Sequence, residues 1–210
     1  PRVGYFVSSF QHMGMDVDRT TRTYFMHRWN LEPKDMEKFK QGELVEPVKP
    51  IVFYVDNTFP VSWRNAIHEG IREWNKAFER IGFKNAVQSK DFPTNDPEFD
   101  PDNLKYSCVR YAPISVENAM GPSWVDPRTG EIMNASVFVY HDVVKLVNGM
   151  RFVQTAQLDE RVRTEKLPEE VMHESLRYII AHEVGHCLGL MHNMAASAAF
   201  PVDSLRNAAF

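Results

Sequence analysis

The chain has 210 residues, 43% apolar and 12% aromatic, with a net charge of −4 at pH 7. That is enough for one domain with a real core and an appendage. No Lys/Arg cluster suggests a nucleic-acid surface, no apolar run is long enough to span a bilayer, and two cysteines are too few for a disulfide framework.

Residues 1–45 read as a lead segment. Val3, Tyr5, Val7 and the stretch 21–29 have strand character, and 34–41 is polar and reads as a turn or short helix. The expectation is a β-hairpin that packs on a main domain covering 46–210, with Pro47 and Pro50 marking the boundary. Ile51–Val55 (Ile-Val-Phe-Tyr-Val) is a continuous apolar run of strand length, as a central strand requires. Pro60 and Ser62 then announce a helix. Ile67, Ile71, Trp74, Phe78 and Ile81 keep a helical period, and Gly82 supplies the stop, so the pattern predicts one helix over 61–81. Residues 83–87 are expected to form a second strand, parallel to the first across the helical crossover.

The stretch 89–105 is rich in Pro, Asp and Asn and is expected to be a solvated loop. Asp91, Asp96, Glu98, Asp100 and Asp102 could also bind calcium, but their spacing does not match an EF-hand. Residues 106–112 read as a strand. Residues 118–125 and 132–140 form the arms of a hairpin around Asp126-Pro127-Arg128-Thr129-Gly130. Gly121 and Pro122 demote the first arm to a sheet edge. An exposed edge can pair with an extended peptide through main-chain hydrogen bonds. Residues 142–163 begin as a helix and lead to the most informative segment.

That segment is a helix expected over 168–188, roughly 30 Å long. Pro168 suits its first position and Glu169 and Glu170 its first turn. Leu176, Ile180, Val184, Cys187 and Leu188 form an apolar stripe. On another face lies His182-Glu-Val-Gly-His-Cys-Leu-Gly-Leu-Met-His192, which is H-E-x-x-H-x-x-G-x-x-H. By chance this five-point match is expected on the order of once in ten thousand. Residues four apart on a helix are about 40° apart around the axis and about 6 Å along it, so His182 and His186 can reach one ion. Gly189 can take the left-handed conformation that stops the helix, letting His192 return as a third ligand. Three protein ligands with one open position is the catalytic zinc pattern. Glu183 lies beside the first ligand, where its carboxylate can reach water held at that position. Cys108 and Cys187 lie in apolar sequence and read as buried thiols, a disulfide being the alternative. Cys187 points off the ligand face. His12, His27, His68, His141 and His173 show no ligand spacing, and Trp63 and Trp74 read as core.

With these pieces in order, the chain resembles the metzincins, the zinc endopeptidases defined by H-E-x-x-H-x-x-G-x-x-H. It is most similar to an uncharacterised bacterial family of predicted secreted, zinc-dependent metalloproteases. The telling stretches are Arg2-Val-Gly-Tyr-Phe6, Pro50-Ile-Val-Phe-Tyr-Val-Asp56, Val116-Glu-Asn-Ala-Met-Gly-Pro122, Asp126-Pro-Arg-Thr-Gly-Glu-Ile132 and Ala181-His-Glu-Val-Gly-His-Cys-Leu-Gly-Leu-Met-His-Asn193. The resemblance implies an α+β fold, α/β-like in part, with a five-stranded mixed twisted sheet, a backing helix near 61–81 and an active-site helix. It also implies one catalytic Zn2+ held by His182, His186 and His192, Glu183 as the base, and a substrate cleft along 118–125. It places the protein outside the cytoplasm.

One departure stands out. Metzincins carry a Met-turn beyond the third histidine, yet eighteen residues follow His192, Met194 is too close to form a separate turn, and Met191 lies inside the motif. The chain also begins at Pro1, without a signal peptide. The expectation is therefore a processed or excised piece cut before its Met-turn. The function expected is zinc-dependent endopeptidase, hydrolysing peptide bonds by metal-activated water with Glu183 as general base and a peptide or protein substrate along 118–125. No nucleic acid and no membrane span are expected. The alternative is a zinc-stabilised, catalytically inactive peptide-binding domain.

Overall fold

The computed structural model describes residues 4–14, 16, 18–207 and 209. Arg2 and Val3, part of the strand and family patterns above, lie outside them. The lead forms an antiparallel hairpin of β1 (Val7–His12) and β2 (Thr21–Met26), in register from Val7 opposite Met26 to His12 opposite Thr21. A short helix follows, α1 (Met36–Lys40), whose N-terminus is capped by the Asp35 carboxylate accepting from the Lys38 N–H at 3.1 Å.

The rest of the chain is α+β. β3 (Ile51–Val55) leads into α2 (Val61–Arg72) and α3 (Asn75–Glu79), then β4 (Val87–Asp91) and β5 (Ser107–Ala112). Next come β6 (Ala119–Met120), β7 (Ser123–Val125), β8 (Ile132–Ala135) and β9 (Val137–Tyr140), followed by α4 (Val143–Thr155), α5 (Glu169–Cys187) and α6 (Val202–Leu205). The main sheet has five strands in the order β4-β3-β5-β9-β6. Its first three pairings are parallel and only β6 runs antiparallel, against β9. The sheet is therefore mixed, as expected, with the antiparallel strand at one edge. β7 and β8 form a separate antiparallel pair around the Asp126–Gly130 turn.

Ile51, Phe53 and Val55 face the core at no more than 1% exposure, which explains the apolar run in an interior strand. The helix stripe is buried too. Leu176, Ile180, Val184 and Cys187 pack with Ile67 and Ile71 of α2 in the main core. Each such aliphatic side chain contributes about 1.5–3 kcal/mol on burial. α2 thus backs the sheet and clamps α5 against it. Across the same helix pair, His173 Nε2 lies 2.9 Å from Glu69 Oε2 and the Arg177 guanidinium 3.0 Å from Glu73 Oε2.

Three expectations are corrected. The helix predicted over 61–81 is two helices, with a break after Arg72. The apolar period runs through the break, but Trp74 and Asn75 are committed elsewhere. The Trp74 indole N–H donates to the Ala181 carbonyl at 2.8 Å, and the Asn75 side chain bonds both the N–H and the C=O of Val87. Ile81 is 60% exposed rather than core. The strand predicted over 83–87 begins only at Val87, and runs through 89–91, expected to be loop. Asn85, with φ +52°, interrupts extended structure before it, and Phe83 instead bridges Val45. Finally, 118–125 is not one arm. β6 and β7 are separated at Gly121 and Pro122, and they pair with different partners.

Candidate metal centre

α5 carries His182 and His186 one turn apart and ends in a Schellman motif. Gly189 has φ +94°, its N–H donates to the His186 carbonyl at 2.9 Å, and the Leu190 N–H donates to the Gly185 carbonyl at 3.1 Å. This reversal brings His192 back beside the helix. Its Nε2 lies 3.2 Å from His182 Nε2 and 3.1 Å from His186 Nε2, and the three ring centroids lie 4.8–5.1 Å apart pairwise. Among the described residues this is the group of His, Cys, Asp and Glu side chains positioned to hold a metal ion.

The donor set fits zinc. Imidazole nitrogens bound tetrahedrally at about 2.0–2.1 Å stand about 3.3–3.4 Å from one another. The observed separations of 3.2 and 3.1 Å are close to that. The imidazoles are also held in a metal-ready state. His186 Nδ1 lies 2.8 Å from the Leu190 carbonyl, so the Nδ1–H donates there and the Nε2 lone pair is left for a cation. His182 titrates below the ordinary histidine range, first because it is partly buried and then because His186 and His192 are near. It is therefore neutral at physiological pH, as a ligand must be.

Glu183 is buried at 8% exposure. Burial pushes its carboxyl above the ordinary glutamate range; the nearby His186 and a hydrogen bond from the Gly121 backbone N–H oppose that shift. Gly121 joins β6 to β7, so the sheet edge and the acid meet directly. The approach is tight: a Cβ on Gly121 would lie 2.4 Å from the Glu183 carbonyl oxygen. β6 has a strand neighbour only on its β9 side among the described residues, and Met120 is 44% exposed. A cleft of about 410 Å³ runs past the three histidines, lined also by Trp74, Tyr178 and Asn193.

The remaining sequence candidates lie elsewhere. Cys187 is buried with its thiol directed at the Pro122 and Ser136 carbonyls, and Cys108 is buried in β5; both are free thiols. His141 bonds the Tyr111 hydroxyl and His68 bonds Ser89 and Asp91. In the acidic loop, Asp102 pairs with Arg110, and Asp96 and Asp100 bond the backbone N–H groups of Glu98 and Asp102. Met194, the next methionine after His192, is 77% exposed. Sequence reasoning missed the supports of the site: Gly121, the Leu190 carbonyl, and Trp29, whose indole N–H donates to the Cys187 carbonyl at 2.9 Å. Only Trp29 left a signal, since a half-buried indole N–H needs an acceptor.

The fold and the site define an α+β protein with a three-histidine centre at the end of its core helix. A family model described as Met-zincin matches residues 164–210. The likeness to metzincins is thus shown over the stretch that holds α5, all three imidazoles and Glu183. Neither the curated proteins nor the solved structures provide a match to this chain. No helix among the described residues is long and apolar enough to cross a membrane.

Proposed function

We propose that the protein is a zinc-dependent endopeptidase. The observation that carries this reading is the convergence of three imidazole nitrogens beside a buried carboxylic acid. His182, His186 and His192 would hold the ion, with the Leu190 carbonyl orienting His186. Zinc, when bound, supplies a Lewis acid that polarises a carbonyl and makes water nucleophilic near neutral pH. Glu183 is the proton carrier. Its carboxylate takes a proton from the attacking water and delivers one to the leaving amine. Its burial favours this role by raising the basicity of the carboxylate, and the Gly121 N–H orients it.

The substrate is a peptide or protein segment lying extended along 118–125, where the free side of β6 offers main-chain donors and acceptors next to Glu183. The division into a lead (1–45) and a catalytic domain (46–210) belongs to the same proposal, as does a location outside the cytoplasm, which rests on the family likeness. The rival, a zinc-stabilised binding domain without activity, has no use for a buried glutamate. Burying an unneeded carboxylic acid costs stability.

A fluorogenic peptide library with the zinc-loaded protein tests the proposal. Cleavage that stops on chelation and returns with zinc is the expected result. Binding of peptides without any cleavage would overturn it in favour of the rival.

A further inference from the structure

We infer that the lead segment is part of the metal centre: residues 4–6 and Trp29 are positioning residues that hold the turn returning His192. The inference rests on the zinc reading above and assigns a role to the part of the chain outside the motif. The turn at 188–192 leaves the helix, so the helical ladder does not support it beyond its Schellman bonds. From Met191 onward the chain is open to solvent, residues 191–196 being all exposed, so the turn gains little support from that side.

The lead fills the gap. Tyr5 and Leu190 form an antiparallel bridge, the Phe6 N–H donates to the Gly189 carbonyl at 2.9 Å, and the Met191 N–H donates to the Gly4 carbonyl at 2.9 Å. Residues 4–6 thus form a bridged segment against the turn. Its other side is also paired, because the His27 N–H donates to the Phe6 carbonyl at 2.8 Å. The ladder continues from Arg28 to Gly130 and Ile132, through bonds of 3.0 and 2.8 Å. An unbroken run of main-chain bonds therefore links the β7–β8 hairpin, through the lead, to the segment carrying the third imidazole. Two side chains reinforce it. The Trp29 indole bonds the Cys187 carbonyl at the end of α5. The Phe6 ring lies 5.8 Å from the His186 ring.

Partners outside the first ring of ligands typically change metal affinity about 10- to 100-fold. The test measures zinc dissociation constants by chelator competition and the visible spectrum of the Co2+ form, on full-length Trp29→Phe and Phe6→Pro variants. Both are expected to bind zinc about tenfold more weakly, with an altered Co2+ spectrum. Tyr24→Ala, on the exposed face of β2, should match the parent chain. A second measurement needs no variant. By reciprocity, zinc should slow amide hydrogen exchange at Phe6 and His27, neither of which is a ligand. Parent-like affinity and spectra in both variants would overturn the inference. So would zinc protection that stops at residues 189–192. A parent chain that binds no zinc would instead sink the metal reading itself.

Discussion

The Gly121 backbone N–H opposes the upward shift of the Glu183 carboxyl, and Gly121 itself is pressed against the backbone of α5: a Cβ at Gly121 would stand 2.4 Å from the Glu183 main-chain carbonyl oxygen. The sheet edge and the acid of the motif are therefore one unit. Gly121→Ala must push β6 away from α5. It is expected to cost about 1–3 kcal/mol of stability, as overpacking does, and to lower peptide turnover while zinc is retained. Thermal unfolding, zinc content and turnover of the purified variant check this. Parent-like stability and turnover would contradict it.

Glu183→Gln keeps the shape and removes the base. Turnover should fall about 10²- to 10⁴-fold with zinc content unchanged. The metal-free variant should be no less stable than the parent near neutral pH. The folded pKa of Glu183 is raised, so its contribution to stability is present at low pH and is lost as pH rises through that value. Undiminished hydrolysis would remove Glu183 from the mechanism.

Gly189 has φ +94°, and a Cβ there would lie 2.5 Å from the His27 carbonyl oxygen. Gly189→Ala is expected to weaken zinc binding by misplacing His192, on top of about 1–2 kcal/mol for the left-handed backbone. Chelator competition together with urea unfolding separates the two effects. A variant with parent-like zinc affinity would show that the turn tolerates a side chain.

Both cysteines should be inert in the folded protein. Burial pushes the Cys108 thiol up to about 12 and raises Cys187 as well. Alkylation at pH 8 should be slower than in urea by on the order of a hundredfold or more, since the thiolate is the reactive form. Rapid modification of the native protein at either site would contradict the packing around it.

Glu69 sits below the ordinary glutamate range, chiefly because it accepts a hydrogen bond from His173. A lowered folded pKa means stability that is present above the ordinary value of 4.5 and lost as pH falls through the lowered one. A double-mutant cycle on Glu69 and His173 should give a small coupling at pH 6, below about 1 kcal/mol for so exposed a pair, that disappears in acid. A coupling unchanged by acid would rule out the ion pair as its source.

The sequence revealed the converging histidines and the core helix because both rest on side-chain types at fixed spacings. His182, His186 and Gly189 are readable from helix geometry alone, and the Leu176–Ile180–Val184 stripe from its period. What was misread depends on tertiary contacts. The break before Trp74 is set by an indole reaching Ala181, 107 residues away, and leaves the apolar period intact. β4 escaped because Gln88, Ser89 and Lys90 on an edge strand look like loop. The scaffold around His192 was invisible because it is built from the main chain of residues 4–6, 27 and 28, and any residue type supplies those groups.

The most direct test of the account is zinc K-edge absorption on the purified protein at neutral pH, combined with elemental analysis. The account predicts about one zinc per chain, bound by three imidazole nitrogens at about 2.0–2.1 Å and one further light atom, with one imidazole lost in His192→Ala. A protein free of zinc in the absence of chelators, or a His192→Ala variant with unchanged coordination, would contradict it.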